Sequence, residues 1–113
     1  MAYNPELTER VREALKHLAN VEEKKMFGSI GFMVNGKLCL GVGSHKDHVM
    51  MVRVGPDSYA TALKRKGAGP AIMRGREHPG YIFLVEGAVR TKKDLDYWVG
   101  LALEFNRRTF RQV

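Results

Sequence analysis

Cys39, His45, Asp47 and His48 are the side chains of this sequence whose types and closeness could do chemistry. Thiolate, imidazole and carboxylate are zinc ligands, and a thiol beside an imidazole is the pairing of a cysteine nucleophile. Zinc needs three or four ligands converging at about 2.0–2.3 Å, and this spacing fits no established zinc pattern. Cys39 lies in an apolar strand-like run, where a free cysteine packs as a small hydrophobe. No third group to orient a base and no oxyanion donors can be assigned, so a cysteine–histidine enzyme is a remote reading. His17 falls beside Leu18 on a predicted helix face, and His78 precedes Pro79 in a predicted loop. The carboxylates are scattered. The expectation is a protein with no catalytic residue, no metal and no cofactor.

Gly31-Phe-Met-Val-Asn-Gly36-Lys37-Leu38 has the spacing of a phosphate-binding loop up to its last residue. Such a loop needs Ser or Thr after the lysine, and a flexible backbone before it. Leu38 replaces the hydroxyl, and Phe32, Met33 and Val34 read as strand. Asn35-Gly36 between two apolar runs is instead a hairpin signal, because both residues accept positive φ in a type I′ turn. Gly41-Val42-Gly43 is too short for a dinucleotide fingerprint and reads as a bend at a strand end.

Binding residues are easier to nominate than catalytic ones. The chain carries a formal charge of +7, and residues 53–76 alone carry +5. Lys64, Arg65, Lys66, Arg74, Arg76, Arg107, Arg108 and Arg111 are the candidates for nucleic-acid contact. Their plain alternative is a solvated surface that keeps the protein soluble. Arg53, set between apolar neighbours in Met51-Val-Arg-Val54, is expected to face solvent on the open side of a sheet. With Tyr59 and Tyr81 it forms a candidate partner patch. Trp98 and Phe105 are expected in the core, as are Met33, Met50 and Met51.

The elements that must position these residues follow from local pattern. Asn4-Pro5 is an N-cap and a first-turn proline, and Leu7, Val11, Ala14, Leu15 and Leu18 make one apolar face, so residues 5–18 are a helix. A strand begins near residue 21, and strands follow over 30–34 and 37–42. Residues 43–47 are a turn, and 48–54 a further strand. Asp57 or Ser58 starts a short helix to about Arg65. Residues 67–79 read as loop, with brief edge pairing at 71–73, and Tyr81–Val85 as the last strand. Thr91-Lys-Lys-Asp94 resembles a capping box at the head of a final helix to about Phe110. Strands joined by short turns require antiparallel pairing. The expected fold is α+β: a two-layer sandwich of an antiparallel meander sheet, with helices at both termini and one in the middle.

One domain, 1–113, suits a chain of 113 residues with 44% hydrophobic and 27% charged content. A single cysteine excludes an internal disulfide and fits a reducing, cytoplasmic setting. No run reaches the ~20 apolar residues that span a bilayer, and the N-terminus lacks the parts of a signal peptide, so no membrane partner is expected.

Met26-Phe27-Gly28, Gly31, Asn35-Gly36-Lys37, Val52-Arg-Val-Gly-Pro-Asp-Ser-Tyr59, Gly80-Tyr81 and Trp98-Val99 occur here in one order. In that order they resemble the N-terminal domain of the TfoX/Sxy competence regulators, over about residues 10–108. The resemblance implies a two-layer α+β fold reminiscent of secretion-chaperone domains. It implies a bacterial adaptor in transcription control, acting through a protein partner, as the full-length regulators act alongside the cyclic-AMP receptor protein. It carries over no catalytic residue. Those regulators have a second, helix–hairpin–helix domain; this sequence ends at Val113, and the expectation is a domain standing alone. Direct nucleic-acid binding is the alternative.

Overall fold

The computed structural model describes residues 4–26, 29–45 and 47–111; the side chains of Met26, Ser44, His45, Phe110 and Arg111 fall outside that description. Phe27 and Gly28 of the family-like motif also lie outside it.

Helix α1 spans Pro5–Leu15. Asn4 caps it as its composition predicts: the side-chain oxygen accepts from the backbone N–H of Glu6 at 2.9 Å and of Leu7 at 3.2 Å. Strands β1 (Val21–Met26), β2 (Ser29–Val34), β3 (Lys37–His45) and β4 (His48–Arg53) follow as an antiparallel meander. Between β2 and β3, Asn35 and Gly36 have φ of 54° and 80°, the hairpin geometry their types favour. The β3–β4 turn is tighter than the sequence suggests, because β3 continues through Gly43 to His45. Gly43 serves close approach there: a Cβ on it would lie 2.3 Å from the Ser29 Cβ.

Helix α2 spans Pro56–Leu63. Its N-cap is Gly55, at φ 85°, and neither Asp57 nor Ser58 caps it; Pro56 takes the first helical position. The segment expected to be loop is a hairpin, β5 (Ala68–Met73) and β6 (Arg76–Val85). Arg74 and Gly75 turn it with φ of 54° and 74°. Arg-Gly is a weaker turn signal than Asn-Gly, and Gly69-Pro70 disguises the strand. Pro70 is tolerated because β5 is an edge strand with a register shift between Pro70 and Ile72. His78 thus lies on β6 rather than in a loop. A 3-10 turn, Glu86–Val89, leads to α3, Lys92–Arg111. Thr91 Oγ1 accepts from the Asp94 backbone N–H at 3.1 Å, the capping the sequence predicts.

The sheet order is β1-β2-β3-β4-β6-β5, six antiparallel strands. The final hairpin docks by its second strand. Two side-chain rows cross the sheet on one face: Lys25, Ile30, Val42, Met50, Leu84 and Ala68, then Glu23, Phe32, Leu40, Val52, Ile82 and Pro70. Their apolar centres join Leu7, Val11, Leu15, Ala62, Leu95, Trp98, Val99 and Ala102 of the helices in one buried cluster. The fold is therefore the two-layer α+β sandwich the sequence implies, with α1, α3 and α2 side by side on this face. Asn106 of α3, 4% exposed, donates its side-chain N–H to the Val34 carbonyl at 2.9 Å and ties the helix to β2.

Candidate functional site on the second sheet face and in three basic segments

Alternation in β4 separates two adjacent methionines. Met50 is buried in the core cluster, whereas Met51 points to the other face. The register sets Met51 in a row with Lys24, Gly31, Gly41, Phe83 and Gly69, and Met33 beside Leu38 and Glu22. Met33, Leu38, Met51 and Phe83 all stand outside the core cluster. The expectation of core filling thus holds for Met50 and fails for Met33 and Met51. The row holds three glycines, of which Gly31 is buried and Gly41 and Gly69 are half-buried. Among the described elements, no helix packs on this face except at the end of β4.

There, α3 reaches Arg53. The Arg53 guanidinium lies 5.6 Å from the Tyr81 ring centroid and 5.1 Å from that of Phe105. Arg53 is half-buried between two aromatic rings, a cation–π arrangement, and not a freely solvated strand arginine. Phe105 is the residue sequence reading left out of this patch, because its helical spacing matched the core stripe. Tyr59 does not join it: α2 carries Tyr59 against the core cluster, where its hydroxyl donates to Glu77 at 2.7 Å. Partial burial first, then the Glu77 carboxylate, push the Tyr59 phenol up to about 12.

The register also explains Cys39. Phe32 pairs with Leu40 and Met33 with Leu38, so Cys39 is the extra residue of a bulge and is turned inward. It is 1% exposed, and burial pushes its thiol up to about 12. Such a thiol carries little thiolate at neutral pH. His45 pairs with His48 through the backbone, and its side chain lies outside the described residues. The His48 ring stacks on Phe83 at 4.7 Å between centroids, and Asp47 is exposed. Among the described residues no group of three or more metal-ligating side chains converges.

The basic candidates lie in three segments. Lys64, Arg65 and Lys66 follow α2 and lie near Arg90 and the start of α3. Arg74 and Arg76 occupy the β5–β6 turn at the far end of those strands, about 17 Å away at ~3.3 Å per residue. Arg107 and Arg108 sit near the end of α3; Arg108 pairs with Asp57 at 3.4 Å and Glu104 at 3.6 Å. Arg111 has its side chain outside the described residues. Arg65 lies 3.7 Å from the centre of the Tyr97 ring.

No helix among the described residues is long and apolar enough to cross a membrane. No curated protein and no solved structure matches the chain. Residues 13–106 match the family described as TfoX N-terminal domain, and the chain belongs to that family.

Proposed function

We propose that this domain is a non-enzymatic adaptor, a competence-regulator-like module that works in bacterial transcription control through protein contacts in the cytoplasm. The observation that carries the reading is the second sheet face, where half-buried Met33, Leu38 and Met51 stand outside the core cluster beside the buried Phe83. Adaptable, half-buried methionines suit a face that another protein packs against. The inert, buried Cys39 thiol supports the absence of thiol catalysis. Photocrosslinking tests the reading. A benzophenone side chain replacing Leu38 or Met51, in cells of the native host, should give a discrete protein adduct. The same group at Glu9, on the exposed face of α1, should not. Equal labelling from all three positions would contradict it.

A second reading, direct nucleic-acid binding, is favoured by Lys64, Arg65, Lys66, Arg74, Arg76 and Arg107, for which the described residues offer no carboxylate within ion-pair distance. Titration into labelled duplex and single-stranded DNA at two salt concentrations checks it. Phosphate contacts would make binding fall steeply with salt, and reversing Lys64, Arg65 and Lys66 to glutamate should abolish it. Unchanged binding in that variant would remove this patch as the site.

A further inference from the structure

We infer that the cleft between the end of α2 and the start of α3 is a binding site for a phosphomonoester about the size of a mononucleotide. The cleft has a volume of about 730 Å³ and is lined by Arg65, Lys66, Gly67, Arg90, Asp94 and Trp98, among others. That volume falls in the ordinary range for small-molecule sites, ~300–1,000 Å³. The site is separate from the sheet face on which the adaptor reading rests.

Three of the cations without a carboxylate partner gather in this one cleft. Elsewhere Arg12 pairs with Glu9 and Glu23, Lys16 with Glu13, Lys92 with Asp96, and Arg108 with Asp57 and Glu104. Arg65, Lys66 and Arg90 line one cavity and have no such partner among the described residues. The one carboxylate in the wall, Asp94, leaves three cations against one anion. A phosphate dianion matches the excess, and guanidinium and ammonium groups are its ordinary partners. Asp94 then accepts from a ligand hydroxyl or amine, which favours a phosphorylated molecule with further donors over bare phosphate.

The walls are held in place. Stacking on Tyr97 at 3.7 Å fixes the Arg65 guanidinium without neutralising it. The Arg10 guanidinium donates to the carbonyls of Arg90 and Thr91, both at 3.2 Å, and anchors the segment that carries Arg90. Gly67 has φ 86°, and a Cβ there would lie 2.7 Å from the Ala88 Cβ, so the Lys66–Gly67 wall packs tightly on the 3-10 turn.

Amide NMR on the intact protein tests the site, with AMP and adenosine as probes. AMP should give saturable shifts confined to residues around Lys66, Gly67, Gly87, Ala88, Arg90 and Asp94. Adenosine should give at least about tenfold weaker effects, since the charge-assisted bonds are gone. K66Q and R90Q, each checked for an unchanged spectrum elsewhere, should weaken AMP by about tenfold or more. A 5′-phosphorylated trinucleotide that moves the same residues more strongly than AMP would keep the phosphate chemistry and identify a nucleic-acid end as its source. No saturable shift would overturn the proposal. So would shifts spread equally over Arg74, Arg76 and Arg107, or an unaltered response in both variants.

Discussion

Three side chains decide most at the residue scale. Cys39 and Tyr59 give the fold a pH signature. Burial raises Cys39 from its ordinary 9.0 to about 12. Burial and Glu77 raise Tyr59 from 10.0 to about 12. Each pKa is higher folded than unfolded, so the stability they contribute is complete below pH 9. Above that the unfolded chain loses its protons first, and stability falls as pH rises toward 12. Urea midpoints measured from pH 8 to 11 should decline, and Cys39→Ala should flatten the slope at the lower end of that range. A flat profile in the parent protein would contradict the inward setting of Cys39. Asn106 is the third. Asn106→Leu removes the donor to the buried Val34 carbonyl and should cost about 1–3 kcal/mol in equilibrium unfolding.

At the element scale, the crossing of β4, α2, β6 and α3 is the tightest point. The Gly80 carbonyl accepts from the N–H groups of Val54 at 2.8 Å and Gly55 at 3.1 Å. Gly55 has φ 85°, and a Cβ on it would meet the Phe105 ring at 2.2 Å. Gly55→Ala should therefore destabilise by about 1–3 kcal/mol from backbone strain alone, plus the steric term. Phe105→Ala removes the obstacle, so the double variant should cost less than the sum of the single ones. Additive costs would mean that strain, not contact, sets the penalty. Elements whose chemistry is local were legible in the sequence: Asn4-Pro5, Asn35-Gly36 and Thr91 act in the structure as their types require. The β5–β6 hairpin was not legible, because Pro70 in an edge strand and Arg74-Gly75 in a turn depend on neighbours that only the assembled sheet supplies.

At the scale of the whole molecule, three helices cover one sheet face, and Met33, Leu38, Met51 and Phe83 stand on the other. The sequence places these residues in strands, but not on a face, since a bulge at Cys39 and adjacent methionines at 50 and 51 blur the period-two pattern. The basic residues were legible as types and not as a surface. They fall in three segments, and the Arg65–Lys66–Arg90 cleft joins residues far apart in the chain. Arg53 and Tyr81 were expected together and are; Tyr59 was drawn off by Glu77. Leu38→Lys probes the face at this scale. Leu38 is outside the core cluster, so the change should alter stability by no more than about 1 kcal/mol.

The central claim is that the second sheet face docks a protein. Crosslinking from Leu38 and Met51 in host cells measures it most directly. The claim predicts one protein adduct common to both positions, lost when Leu38→Lys accompanies the crosslinker at Met51. Adducts that persist in that variant, or that arise equally from Glu9 on α1, would contradict it.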